Sequence, residues 1–150
     1  RRQRQMCIRD RSTTEHRFEK VEIINGTIFI NDSKSTNFHS VSSASERVKN
    51  ALLIMHGITK NIPTSELQLS NEIKKIIIPN DMNLDHNLFH CEVQVIKSIF
   101  ELEDILKKDF QRFETVLFSC GGSSFNDFEN YIERGEFFKS IVMNLKGEQN

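Results

Sequence analysis

An apolar run, Thr27 to Ile30, breaks directly into Asn31-Asp32-Ser33-Lys34-Ser35-Thr36-Asn37, which sets an ammonium and a carboxylate among hydroxyls. Where such a segment links a strand to a helix, the free N–H groups at the helix start favour anions, and Lys34 is placed to meet a phosphate. An ordinary loop capped by Asp and Ser has the same composition. The second stretch of this kind is Ser119-Cys120-Gly121-Gly122-Ser123-Ser124-Phe125-Asn126-Asp127-Phe128. Its glycines allow close backbone approach, and Ser123 or Ser124 can cap a following helix while N–H groups face a carboxylate or phosphate. A glycine-rich cap without a ligand reads identically. Ser123 is a poor nucleophile candidate, because Phe125 stands where the second glycine of G-x-S-x-G belongs.

Other reactive side chains carry less. His86 and His90, spaced i, i+4 with Cys91 adjacent, are formally compatible with zinc, but no second ligand cluster accompanies them and a solvent-facing helix is expected there. His56 and Lys60 follow the apolar run Ala51 to Met55, which puts them at the same sheet edge as the two polar stretches. Cys120 suits small-residue packing better than reactivity. Cys7, Cys91 and Cys120 show no paired metal spacing and are odd in number, so reduced thiols are expected.

Alternating strands and helices must position these groups. Val21 to Ile24 and Thr27 to Ile30 flank Asn25-Gly26, a strong hairpin signal. Phe38 to Asn50 reads as helix, and Ala51 to Met55 as a buried parallel strand. Pro63-Thr64-Ser65-Glu66 enters a short helix. Lys75 to Ile78 and Cys91 to Ile96 are further strands. Ile99, Leu102, Ile105 and Leu106 lie at helical spacing, Thr115 to Ser119 is another buried strand, and Phe125 to Leu145 carries a long amphipathic pattern. The expected fold is α/β: a Rossmann-like, mostly parallel sheet flanked by helices and opened by a β-hairpin. Open sheets of this kind bind ligands outside the carboxyl ends of their strands, where both polar stretches fall.

With 150 residues, 37% hydrophobic and 27% charged, the chain has the size and composition of one globular domain. No apolar run reaches the roughly 20 residues of a membrane span, and a soluble cytoplasmic protein is expected. Five arginines among the first eleven residues suggest a nucleic-acid arm. However, Met6-Cys7-Ile8-Arg9-Asp10-Arg11 resembles translated sequencing adapter, ATG TGT ATA AGA GAC AG, so residues 1–11 are expected to be an artefact and Ser12 to follow a cut reading frame. Those eleven residues carry a net +4, leaving −5 on the remainder of a chain whose total is −1. Nucleic-acid binding by charge is therefore not expected.

Beyond these readings, His16 to Asn37, "HRFEKVEIINGTIFINDSKSTN", resembles the opening of the C-terminal domain of the D-glutamate-adding branch of the Mur ligase family: H-R-x-E, a hairpin, then N-D-S-K-A-T-N. Ser123 to Phe138, "SSFNDFENYIERGEFF", is similar to that family's A-S-F-D-x-F-K-N-F-x-x-R-G-x-x-F. The two motifs, in order, span most of residues 12–145. Related branches adding other residues show D-Y-A-H-x-P where this chain has Asp32 to Thr36.

The resemblance implies an ATP-dependent ligase of peptidoglycan synthesis that joins D-glutamate to UDP-N-acetylmuramoyl-L-alanine through an acyl phosphate and acts as a monomer. It places Arg17 and Asp32 at the nucleotide ribose and Lys34 at the ATP and acyl-phosphate site. Thr36, Lys60, Ser124 and Tyr131, the last replacing the usual phenylalanine, fall at positions that hold D-glutamate. Mg2+ would be bound mainly by a central domain whose G-x-x-x-x-G-K-[ST] loop this sequence lacks, so residues 12–150 alone are expected to be inactive. The chain departs from the family in several places. Gly-Gly-x-x-Lys is here His56-Gly57-Ile58-Thr59-Lys60, and a common aspartate is Ile58. Ser-Pro-Ala-Cys-Ala-Ser is Ser119 to Ser124, and Asn126 replaces an aspartate. A diverged ligase, or a stand-alone α/β module binding a nucleotide or amino acid, are the alternatives.

Overall fold

The computed structural model describes residues 15–59 and 61–149. The adapter-like segment, Cys7 and Lys60 lie outside these. Six strands form one sheet: β1 (Glu19–Ile24), β2 (Thr27–Asp32), β3 (Ala51–His56), β4 (Ile73–Pro79), β5 (Glu92–Ile96) and β6 (Thr115–Gly121), in the order β1-β2-β6-β3-β4-β5. β1 is antiparallel to β2, and the other pairings are parallel. The hairpin turn has positive φ at both central residues, 50° at Asn25 and 88° at Gly26, as the twist of the flanking strands requires.

The continuous apolar runs resolve into two faces. Leu52, Ile54, Val116 and Phe118 point to one side, where α2 (Leu102–Asp109) and α3 (Tyr131–Gln149) pack through Leu102, Leu106, Phe138, Ile141, Val142 and Leu145. Ala51, Leu53, Met55 and Leu117 point to the other, covered by Phe38, Val41 and Ala44 of α1 (Phe38–Ser45) and by Leu67 and Leu84. A strand buried on both faces needs no polar alternation, which explains "ALLIM".

Helix ends depart from the sequence reading. α1 stops at Ser45 rather than Asn50, because its serines bond back to the backbone. Ser42 Oγ donates to Phe38 O (2.9 Å) and Ser45 Oγ to Ser42 O (2.7 Å), while each accepts an N–H from the following loop, Gln68 and Ser70. Asn50 then turns the chain at φ 43°. The long C-terminal helix begins at Tyr131, not Phe125, because Asn130 Oδ1 caps it by accepting from Glu133 N (2.8 Å). Residues around His86 form a single 3-10 turn, His86–Leu88, not a helix. His90 bonds Ile73 O at 3.1 Å, and among the described residues His86, His90 and Cys91 do not gather as a ligand set. Cys91 and Cys120 are free thiols, and burial pushes Cys120 up to about 12, which removes it as a nucleophile. Among the described residues no helix is long and apolar enough to cross a membrane.

Candidate functional site

β6 lies between β2 and β3, and the segments leaving the carboxyl ends of these three strands depart to opposite faces of the sheet. The crevice this opens is where an α/β sheet takes its ligand. Thr36, Phe38, Ile58, Ser124, Phe125 and Tyr131 line a cleft of about 430 Å³ there. A second cleft, about 440 Å³, is lined by Arg17, Phe18, Asp32, Lys34, His39 and Arg47, with the Arg47 guanidinium 3.7 Å from the centre of the Phe18 ring. Lys34 stands between the two, its Nζ 5.6 Å from the centre of the Tyr131 ring.

The structure therefore sorts the expected site residues into two neighbouring groups. Arg17, Asp32 and Lys34 share one cleft, while Thr36, Ser124 and Tyr131 share the other. Lys60 lies outside the described residues, although its neighbours Thr59 and Ile62 line the second group's cleft. Asp32 is buried. Its Oδ1 accepts from Phe18 N (2.8 Å), and its Oδ2 from Ser35 Oγ (2.5 Å) and Ser119 Oγ (2.8 Å). A carboxylate has about four acceptor positions, so roughly one remains for a ligand hydroxyl. Asp32 thus first builds the Lys34 loop. Burial holds its carboxyl above the usual value, against the pull of those hydrogen bonds. Ser123 caps the short 3-10 turn Ser124–Asn126 rather than the long helix, with Phe125 N donating to its Oγ at 3.4 Å.

Sequence reasoning gave no role to Arg134, whose side chain is wholly buried beneath both groups. Its Nε donates to Ser33 Oγ (3.0 Å), Nη2 to Ser33 O (2.7 Å), and Nη1 to Gly122 O (2.8 Å) and His56 O (3.1 Å). One side chain of α3 thereby fixes the ends of all three strands. The detectable signal was its register: Arg134 falls on the same helical stripe as Phe138, Ile141 and Leu145.

Two glycine contacts and a buried histidine complete the frame. Ile58 and Ser123 exchange backbone hydrogen bonds (2.9 and 3.0 Å) across Gly57 and Gly122. His16, buried and at φ 65°, bonds Asn31 through Nδ1 (2.8 Å) and packs against Gly135 so closely that a Cβ there would lie 2.1 Å from Nδ1. Ala in a helix interior gains about 1 kcal/mol over Gly, whereas overpacking costs about 1–3 kcal/mol. Gly135→Ala is accordingly expected to destabilise, and adding His16→Ala to recover part of the loss, both read from urea midpoints.

His16 and His56 are both held below the ordinary value of 6.5, chiefly by burial, with Lys139 and Arg134 respectively adding to the effect. The unfolded chain takes up these protons while the folded chain resists them, so stability rises with pH through this window. We expect the urea midpoint to fall as pH drops below about 6.5. Asp32 acts in the opposite sense, only where its own raised carboxyl titrates.

No family model matches the chain. Among curated proteins it is 37% identical over 136 residues to the UDP-N-acetylmuramoylalanine–D-glutamate ligase of Thermosipho africanus, an alignment covering 87% of this chain and 32% of that protein. To the ligases of the same name from Thermotoga maritima and Porphyromonas gingivalis it is 30% and 32% identical over 146 residues, covering 95% and 93% of this chain and 34% and 32% of theirs. The chain thus spans about a third of the length of the curated relatives it matches. A solved folylpolyglutamate synthase from Thermotoga maritima shares the fold, with a TM-score of 0.50 and 19% identity over 89% of this chain and 32% of that one. The curated relatives it matches and the structure whose fold it shares all carry the names of ligases or synthases. Within that class, the chain belongs to the Mur ligase family as a C-terminal domain.

Proposed function

We propose that this domain serves a ligase that joins D-glutamate to UDP-N-acetylmuramoyl-L-alanine at the expense of ATP, in the cytoplasm and as a monomer. The observation that supports this reading is the position of Lys34 between a cleft bearing Arg17 and Asp32 and a cleft bearing Thr36, Ser124 and Tyr131. In this reading the first cleft takes the nucleotide, with the ribose at Arg17 and the remaining acceptor position of Asp32. The second takes D-glutamate, whose carboxylates meet the hydroxyls of Thr36 and Ser124 and the ammonium of Lys60. ATP phosphorylates the muramoyl-alanine carboxylate with release of ADP, and the amine of D-glutamate attacks the resulting acyl phosphate, forming the amide as inorganic phosphate and the amine proton depart. Lys34 offsets the negative charge gathering on the transferred phosphoryl and on the oxyanion of the tetrahedral intermediate.

Mg2+ belongs to such chemistry, yet Asp32 is the only carboxylate lining either cleft among the described residues, and most of its acceptor capacity is spent. A cation that demands near-octahedral oxygen ligands does not fit that donor set. The metal is assigned to other parts of the ligase.

In the full-length ligase, Lys34→Ala is expected to lower kcat by about a hundred- to a thousandfold while leaving the KM for D-glutamate within a few fold, the pattern of a group acting in the transition state. Unchanged kcat would refute the role. Residues 12–150 alone, lacking a phosphate-cradling loop, are expected to release no phosphate from ATP in the presence of D-glutamate. Tight binding of ATP or D-glutamate to that piece in a calorimeter would instead favour a self-sufficient binding module.

A further inference from the structure

His56 ends β3 with a side chain that is wholly buried and bonded at both ring nitrogens. Nδ1 lies 3.2 Å from Arg134 Nη1, and Nε2 lies 2.8 Å from Asp127 Oδ2. A guanidinium offers only donors and keeps its charge in proteins, so Nδ1 must accept. The single ring proton therefore sits on Nε2 and is donated to Asp127, which fixes the tautomer from both sides. Among the described residues, the remaining charged group acting on the ring is Asp81, whose carboxylate accepts from the Asn126 amide at 3.3 Å, and the Phe128 ring packs edge-to-face with His56 at 5.4 Å between centres.

Asp127 in turn closes the Ser124–Asn126 turn, its N–H donating to Ser124 O at 3.2 Å. Ser124 and Phe125 of that turn line the cleft assigned to the amino-acid acceptor. A chain of contacts thus runs from the guanidinium through the imidazole and the carboxylate to the turn. We propose that His56 is a positioning residue, a neutral imidazole clamped between Arg134 and Asp127, which holds the Ser124–Asn126 turn against the acceptor cleft and releases it when protonated. A second ring proton would point from Nδ1 at Arg134, donor against donor and cation against cation inside the protein. The contact with Arg134 must break, and the ring, drawn toward Asp127, takes the turn with it.

The D-glutamate part of this inference rests on the function proposed above, whereas the clamp does not. Nitrogen-15 NMR of the histidine rings in the full chain is expected to show the Nε2–H form of His56 at pH 7.5. The amides of Ser124, Phe125 and Asp127 are expected to shift with the His56 midpoint, and to stay flat in His56→Gln, whose side chain does not titrate. An Nδ1–H ring, or turn amides that ignore the ring, would overturn the clamp. In the full-length ligase, the KM for D-glutamate should rise about tenfold per pH unit below that midpoint, because the competent fraction falls by that factor. Over the same range kcat at saturating D-glutamate should change less, and in His56→Gln the KM should be level. If the amides follow the ring while D-glutamate binds neither form, the clamp stands and the acceptor assignment falls. If D-glutamate binds and its KM is equally pH-dependent in His56→Gln, the positioning role is wrong.

Discussion

Arg134→Met is expected to destabilise the fold by about 3–5 kcal/mol, because the neutral acceptors it serves would be left buried without a donor. That is a third or more of the stability of many single domains. The physical cause is the set of acceptors left behind. The carbonyls of Ser33, His56 and Gly122 lie under the strand ends and take their bonds from this guanidinium. Each buried acceptor without a partner costs about 1–3 kcal/mol. Methionine restores apolar volume and relieves the cost of burying a charge, which is why the expected loss stays below the sum of those penalties. Arg134→Lys keeps the charge but has three donors on one nitrogen, and cannot reach acceptors on three strands at once. Its loss should be intermediate. Urea unfolding followed by circular dichroism measures both, and a Met variant within 1 kcal/mol of the parent would show that Arg134 is not the staple described.

Gly57→Ala is the second large effect. Gly57 lies at φ 125°, and a Cβ there would stand 2.4 Å from Ser123 O and 2.5 Å from the Gly122 carbonyl carbon. The obstacle is backbone, so no side chain can swing aside. Strain at such a φ costs about 1–3 kcal/mol, and relieving the clash costs a comparable amount. The expected total is near 4 kcal/mol. The loops after β3 and β6 should separate, with loss of the Ile58–Ser123 bond pair and widening of the cleft lined by Ile58 and Ser124. Hydrogen exchange reports this directly: the amides of Ile58 and Ser123 should lose protection ahead of those of Leu53 and Leu117 in the sheet interior. Retained protection would mean that the two loops tolerate a wider crossing.

The central strands β3 and β6 were legible because each is an apolar run stopped by polar or turn-forming residues, Ala51–His56 and Thr115–Gly121. The hairpin announced itself through Asn25-Gly26. Helix ends were not, since they depend on which partner a hydroxyl or amide finds: Ser42 and Ser45 end α1 through bonds to residues more than twenty positions away. The clefts were legible as two polar stretches at strand ends. The parts beneath them were not. His56 could be placed at the sheet edge, but nothing in the sequence pairs it with Asp127 until 71 positions of chain are folded back to bring them together. Asp32 looked free to meet a ligand, and the sequence pattern carried no sign that Phe18, Ser35 and Ser119 would claim most of it. Gly135 lies within the second motif, but only the proximity of His16 explains why a helix interior holds a glycine.

Contacts of α3 with the β1 hairpin and the Lys34 segment bear on how the domain is made. Lys139 bonds Glu15 and Lys146 bonds Glu22, each pair 124 positions apart, and Arg134 reaches Ser33 across 101. β6 must slide between β2 and β3, which are already synthesised, and only the helix that follows it locks the Lys34 segment. During translation the Lys34 segment emerges about a hundred residues ahead of the Arg134 side chain that fixes it. A chain still attached to the ribosome, short of Arg134, therefore carries both polar segments without a site, and exposes the edges of β2 and β3 to mispairing until the final helix docks.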